Sequence, residues 1–305
     1  MPPPLALVGP TASGKTEAGI ALAEVLGAEI VSVDSMLVYR GMDVGTAKPT
    51  PQERRAVPHH LLDVVAPSEP FSVAAYQWLA RQAVAGIETR GARTLLVGGS
   101  GLYLRAVVDD LEFPGTDPGT RADLEREAGT LGAEGLYRRL AWADPLAAAK
   151  IEPGNVRRTV RALEVSAVTG RRFSEFAIAW DEYAVDRMRA VGIRIEREVL
   201  ARRIHLRVAT MLEHGFLEEV RGLMERGLGE WLTASQAIGY AEMAHHLQGR
   251  RSLVDAVEAT ERRTIALARR QMAWFRRDPR IRWIPAGAGG AVDAVEELLA
   301  ELEAG

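Results

Sequence analysis

An α/β fold is predicted for this chain of 305 residues: a parallel sheet flanked by helices, with an all-helical segment inserted before the last strand of the pattern. Three observations predict it. Short apolar runs alternate with helical periodicity in the N-terminal part; a glycine-rich turn joins the first apolar run to the first helix; and strand character vanishes over residues 115–186 before returning at 188–195.

The composition suits a globular protein with a sizeable core, since 47% of the residues are hydrophobic and 26% charged. No apolar run is long enough to cross a bilayer, and Met1-Pro2-Pro3-Pro4 leads into the first strand without a charged region or cleavage site, so a cytoplasmic protein with no membrane partner is expected. With no Cys, disulfides and Cys-ligated metals are excluded, and the 6 His leave Mg²⁺ held with phosphate as the expected metal. A net charge of −3 announces no nucleic-acid partner, so local charge must decide. The only lysines are Lys15, Lys48 and Lys150; the dominance of Arg reflects either genome composition or a preference for the phosphate-matching guanidinium.

The run Leu5-Ala6-Leu7-Val8 is long enough for a buried strand, and residues 17–26 carry Ile20, Ala21, Ala23 and Leu26 as a helix. Between them, Gly9, Pro10, Thr11, Ala12, Ser13, Gly14, Lys15 and Thr16 fit G-x-x-x-x-G-K-[ST] with no mismatch. Strand, glycine-rich loop and helix is the context of a phosphate loop, so a P-loop NTPase-like sheet is expected. The loop N–H groups converge on phosphate oxygens at the positive helix end, Lys15 supplies a point charge, and the Thr16 hydroxyl reaches Mg²⁺. The motif leaves open whether the phosphates belong to a nucleotide.

A second strand at residues 28–33 delivers Asp34 and Ser35 to the rim where open parallel sheets bind ligands. Asp34 there can act as a general base, hold Mg²⁺ through water, or cap the next turn. Residues 36–49 are broken by glycines and Pro49 into a loop with many large side chains. His59 and His60 read as loop or rim residues, because neighbours in sequence cannot share one face and no third ligand is in view. Residues 61–65 look like another strand, and Ser72 caps a helix carrying Val73, Tyr76, Leu79, Ala80 and Val84. The strand that starts at Thr94 ends in Gly98-Gly99-Ser100-Gly101, where many phosphate-loop NTPases place a Mg²⁺-binding acid. That acid is missing, which favours a transferase over an enzyme that arranges water attack.

The insertion reads as polar helices at 121–129 and 134–142, a further one opened by Asp144-Pro145, and a long one from Asn155. On the last, Arg157, Arg158 and Arg161 form a basic strip that is either a solvated face or a nucleic-acid contact. After the returning strand come helices at 196–214, 217–226, 235–247 and 254–277. The last one ends in Arg269-Arg270-Gln271-Met272-Ala273-Trp274-Phe275-Arg276-Arg277, where the aromatic rings either fill core or stack on unpaired bases while the arginines face outward. The loss and return of strand character thus divide the chain into a core of 1–114 with 187–305 and a helical insertion at 115–186.

The phosphate loop at residues 9–16, VSVDS at 31–35, YRGMDVGTAKP at 39–49, PHHLLD at 58–63, LVGGSGLY at 96–103, RALEV at 161–165, IGY at 238–240 and RRQMAWFRR at 269–277 together resemble the tRNA dimethylallyltransferase family, also called tRNA isopentenyltransferases. The resemblance spans almost the whole chain in order. It implies transfer of a dimethylallyl group from dimethylallyl diphosphate to N6 of the adenosine at position 37 of tRNA, beside the anticodon, with the phosphate loop and Mg²⁺ on the leaving diphosphate and the anticodon stem-loop as partner. By the same match Asp34 is the base, Ser100 lies beside diphosphate and base, where relatives often carry Thr, and Arg207 neutralises the diphosphate. The tRNA contacts implied are Asp34, Ser35, Met36, Leu37, Ser100, Arg121, Arg157, Arg158, Thr159, Val160, Arg161, Gln236, Ala237, Ile238, Gly239, Tyr240, Ala241, Arg269, Arg270, Gln271, Trp274 and Arg276. Relatives often have Gln at 157, and Ala241 stands where a basic residue is expected. A monomer is expected. A small-molecule kinase using ATP explains the first strand pair equally well, though not the Arg-aromatic helix; an RNA-binding nucleotide switch lacks its acid.

Overall fold

The computed structural model describes residues 3–180 and 182–304, so Met1 and Pro2 lie outside it. Six strands form one all-parallel sheet: β1 (Leu5–Val8), β2 (Ala28–Ser32), β3 (His59–His60), β4 (Arg93–Gly98), β5 (Arg189–Ile195) and β6 (Ile281–Ala286), in the order β3-β2-β4-β1-β5-β6. The helices in chain order are α1 (Lys15–Leu26), α2 (Pro51–Ala56), α3 (Val73–Thr89), α4 (Gly101–Val108), α5 (Pro118–Ala143), α6 (Pro145–Ala148), α7 (Val156–Thr169), α8 (Arg197–Glu213), α9 (Phe216–Met224), α10 (Tyr240–Leu247), α11 (Leu253–Phe275) and α12 (Val295–Glu303).

Two compact units result, Met1–Val108 with Ala184–Gly305, and Asp109–Tyr183. The division falls at 108/109 and 183/184, where 114/115 and 186/187 were expected. It does so because α4 ends at the buried Val108, and because a turn from Ala184, whose carbonyl accepts from Arg187 N at 3.4 Å, leads the chain into β5.

In the first unit the unbroken apolar run of β1 is buried on both faces, as a central parallel strand requires. Its core joins Leu5, Leu7, Leu22, Ile30, Leu95, Val191 and Ile193 to Ile284, Leu298 and Leu302. The last three come from β6 and α12, which the sequence reading missed. Arg282 and Pro285 interrupt the apolar pattern of β6; an edge strand tolerates Pro285, whose missing N–H costs no central ladder bond.

Two further expectations need correction. The strand expected at 61–65 is β3 instead, because Leu61 (φ 63°) and Asp63 (φ 55°) adopt left-handed backbone that no strand accommodates. The helix expected over 235–247 begins only at Tyr240: Gly239 (φ 96°) breaks it, and a Cβ there would lie 3.0 Å from the Phe216 ring.

The second unit packs Leu124, Leu136 and Leu140 of α5 against Val160 and Leu163 of α7. Asp144, with Pro145 behind it, caps α6 as the sequence announces, and Asp117 and Asn155 likewise accept a backbone N–H of the first turn of α5 and α7. The two helices expected at 121–129 and 134–142 are both within α5, interrupted at Gly132.

Candidate functional site

At the carboxyl rim of the sheet, residues 9–16 wrap the N-terminus of α1. Gly14 (φ 83°) turns the backbone into the helix, and a Cβ there would lie 3.0 Å from Ala291 N, so no larger residue fits. Lys15 folds back over the loop, its Nζ donating to Pro10 O at 2.5 Å and to Ser13 Oγ at 3.4 Å. Burial first, and the Arg207 charge second, lower the Lys15 ammonium to about 7 against the partial opposition of Asp34. Three braces fix the loop from distant elements. Thr11 N donates to Gln271 Oε1 at 2.8 Å, Arg203 Nε donates to Ala12 O at 2.7 Å, and Ala291 N donates to Ser13 O at 2.7 Å.

Asp34 follows β2 onto the same rim. Its Oδ1 accepts from Met36 N at 2.8 Å, which aims the half-buried carboxylate and leaves Oδ2 to other partners. Arg207 approaches from α8, donating through Nη2 to Thr46 O at 3.1 Å. Burial lowers the guanidinium of Arg207 from its ordinary value, Asp34 opposes that, and Arg203, one turn earlier on the same helix face, reinforces it. The Asp34 charge also reaches Tyr76 and Tyr103, whose hydroxyls are pushed upward first by burial. Their rings lie 4.1 Å apart, and Tyr76 donates to Ser32 O at 2.8 Å, a packed floor under the carboxylate.

The glycine-rich end of β4 closes the site. Ser100 N donates to Val33 O at 3.1 Å, and its Oγ accepts from Tyr103 N at 3.4 Å as the cap of α4. A Cβ on Gly98 would stand 2.4 Å from Val33 O, on Gly99 2.3 Å from Gln271 Nε2, and on Gly101 2.0 Å from the Trp274 ring. The acid that other phosphate loops carry at this strand end is thus replaced by backbone pressed against β2 and α11. Among the described residues no group of three or more His, Cys, Asp or Glu could hold a metal. The residues of this rim that could hold a divalent ion together with phosphate oxygens are Thr16, at the first turn of α1, and Asp34 through water.

Of the residues expected to meet RNA in the first unit, Asp34, Ser35, Met36 and Leu37 are half-buried at the rim, while Gln236, Arg269, Arg270 and Arg276 are exposed. Ile238 and Ala241 are partly exposed, but Ala237, Gly239 and Tyr240 are buried, and Tyr240 donates to Glu219 Oε1 at 2.7 Å. These three shape the turn from within but present no side chain at its surface. Gln271 is occupied by Thr11, Phe275 is core, and Trp274 is half-buried against Gly101.

In the second unit the basic strip divides. Arg157 and Arg158 are exposed. Arg161 is turned inward: Nη1 donates to Glu164 Oε2 at 2.9 Å and Nη2 to Pro114 O at 2.6 Å, while Arg121 Nη2 reaches the same carboxylate at 2.7 Å. Glu164 is fully buried; burial alone would raise its pKa, but Arg121 and Arg161 outweigh it and hold the carboxyl below its usual value. Thr159 and Val160, expected as RNA contacts, are buried on the core side of α7.

Two residues of the site escaped the sequence reading. Arg203 was signalled only by its spacing of four from Arg207 on one helix face. Glu219, which accepts from the backbone N–H groups of residues 43–45, carried no signal, since an acid beside Glu218 in the first turn of a helix is ordinarily solvated.

A family model described as "IPP transferase" matches residues 37–278. The chain is 52% identical over 293 residues to a tRNA dimethylallyltransferase of Kineococcus radiotolerans, covering 94% of this chain and 92% of that protein. The full-length tRNA isopentenylpyrophosphate transferase of Bacillus halodurans superposes with a TM-score of 0.71 at 38% identity, over 100% of this chain and 98% of the other. A eukaryotic dimethylallyltransferase, solved in crystallographic snapshots of its action on tRNA, superposes with a TM-score of 0.80 at 25% identity, over 96% and 75%.

Proposed function

The chain belongs to the IPP transferase family, and on that premise we propose that it is a tRNA dimethylallyltransferase, moving the dimethylallyl group of dimethylallyl diphosphate onto N6 of adenosine 37 of tRNA. The small-molecule kinase weighed from the sequence is set aside, because relatives matched over nearly their whole length are dimethylallyltransferases.

The observation that carries the reading is the meeting of opposite chemistries at one rim: Asp34, an acceptor, sits within electrostatic reach of Lys15 and Arg207, two cations beside a phosphate cradle. In the reaction the allylic C1–O bond breaks, the C1–N6 bond forms, diphosphate leaves, and one N6 proton goes to a base. The loop amides, Lys15 and Arg207 take the charge that grows on the leaving diphosphate. Asp34, with Oδ1 anchored by Met36 N, offers Oδ2 to the N6 proton. A conjugated amine is a weak nucleophile, so a base that withdraws its proton as the bond forms contributes most where water is excluded. Mg²⁺, held by Thr16 and the diphosphate, would supply further neutralisation of the leaving group. The target base must leave its stack to reach Asp34, and the exposed Arg269, Arg270 and Arg276 of α11 and Arg157 and Arg158 of α7 are the proposed phosphate contacts of the anticodon stem-loop.

The test is incubation with radiolabelled dimethylallyl diphosphate and unmodified tRNA, followed by nucleoside analysis. N6-isopentenyladenosine from position 37 is the expected product; label that stays out of RNA, or γ-phosphate lost from ATP to a small acceptor, would overturn the reading.

A further inference from the structure

We infer that Glu219 is a positioning residue for prenyl transfer: by gripping the backbone of residues 43–45 it sets the loop whose carbonyl at Thr46 holds the diphosphate-facing Arg207. The inference deepens the function proposed above and rests on it.

A single carboxylate on α9 accepts four hydrogen bonds. Oε2 takes Asp43 N at 2.8 Å and Val44 N at 2.7 Å; Oε1 takes Gly45 N at 3.0 Å and the Tyr240 hydroxyl at 2.7 Å. Three successive N–H groups converging on one anion form a nest, the same device by which a phosphate loop holds phosphate, here filled by the protein's own side chain. Charge-assisted bonds of this kind are roughly twice as strong as neutral ones, so the grip exceeds what a surface acid ordinarily supplies.

Packing confirms that the backbone has no slack at this point. A Cβ on Gly45 would lie 2.1 Å from the Phe216 ring and 2.7 Å from the Tyr240 ring, and those rings meet edge-to-face at 5.1 Å. From the other side the buried Lys48 donates to Tyr39 O at 2.6 Å, Asp43 Oδ1 at 2.6 Å and Asp63 Oδ1 at 2.7 Å, pinning the far end of the loop. Thr46 lies between the two anchors. Its carbonyl accepts from Arg207 Nη2 at 3.1 Å. Arg207 is a long, half-buried side chain that must be held in one rotamer to face diphosphate, and a fixed acceptor behind it supplies that order. Without Glu219 the three amides face a void, the Gly45 backbone can lift from the rings, and Thr46 O moves with it.

Glu219→Gln keeps the size of the side chain but puts an NH₂ where N–H groups already point. The measurement is binding of inorganic diphosphate with Mg²⁺, without RNA, by calorimetry to four full-length proteins: unsubstituted, Glu219→Gln, Arg207→Ala and the double variant. If Glu219 acts through Arg207, Glu219→Gln weakens diphosphate about tenfold in the first background and less than about twofold in the second, the non-additivity expected of coupled residues. Equal losses in both backgrounds, or none in either, overturn the inference and leave Glu219 a purely structural acid. Glu219→Asp, which keeps the charge and draws it back by one methylene, takes the place of the Gln variant should that one not fold, with the same two outcomes. Failure of the unsubstituted protein to bind diphosphate would overturn the donor-site reading, and this inference with it, whereas binding with additive losses removes this inference alone.

Discussion

Thr11 N donates to Gln271 Oε1 at 2.8 Å, so a helix whose exposed arginines are proposed to face RNA is bonded directly to the loop proposed to hold diphosphate. Both substrates are thereby referred to one rigid frame. Gln271→Ala leaves a half-buried N–H without its acceptor, at a cost of about 1–2 kcal/mol to the loop geometry. The expected result is a rise of roughly five- to thirtyfold in the KM for dimethylallyl diphosphate, with the KM for tRNA little changed, in steady-state prenylation.

Lys15 makes donor binding pH-dependent in a defined direction. Its ammonium is lowered from 10.5 to about 7, chiefly by burial. A diphosphate favours the charged form, so above pH 7 binding takes up a proton. Calorimetry at pH 8 in two buffers of different ionisation enthalpy should show that uptake, and Lys15→Met should abolish it. The same depressed value means that the unfolded chain binds the proton more tightly, so this group's contribution to stability rises with pH between about 7 and 10.5.

Gly101 is required by contact rather than by backbone freedom. A methyl group there would stand 2.0 Å from the Trp274 ring, and α4 and α11 must separate or Trp274 must leave its place. Gly101→Ala should cost about 1–3 kcal/mol. Denaturant unfolding followed by Trp fluorescence measures it.

The arginines of α7 should separate into two behaviours. Arg157→Ala removes an exposed charge and should weaken tRNA binding a few-fold, reduce its salt dependence by about one ion, and leave the melting temperature unchanged. Arg161→Ala removes one of the two arginines on the buried Glu164 and should lower the melting temperature; because Arg121 still pairs that carboxylate, the cost stays below the about 3–5 kcal/mol of an uncompensated buried charge. Filter binding over a salt series and thermal melts distinguish the two.

How much of this was legible in the sequence depended on whether a residue's role is local. The phosphate loop was, because strand, turn and helix are neighbours in the chain and Lys15 and Thr16 have their places fixed by spacing. So were the caps Ser72 and Asp144, each bonded to an N–H three residues on. The 61–65 strand was misplaced because positive φ at Leu61 and Asp63 leaves no mark on hydrophobicity. Long-range partners were invisible for the same reason: Gln271 is 260 residues from Thr11, Glu219 is 174 from Gly45, and nothing in either neighbourhood names the other. The resemblance to a family supplied Arg207 and Asp34 together, which spacing alone could not, but it also carried Thr159, Val160 and Tyr240, whose side chains this fold buries.

The account stands on the Asp34 carboxylate as acceptor of the N6 proton. Asp34→Asn keeps an oxygen for Met36 N and so keeps the turn, removing only basicity. Single-turnover prenylation of tRNA by this variant, with diphosphate binding measured alongside, is predicted to slow about 10²- to 10⁴-fold while diphosphate affinity stays within about threefold. Transfer at the unsubstituted rate with diphosphate still bound would contradict it.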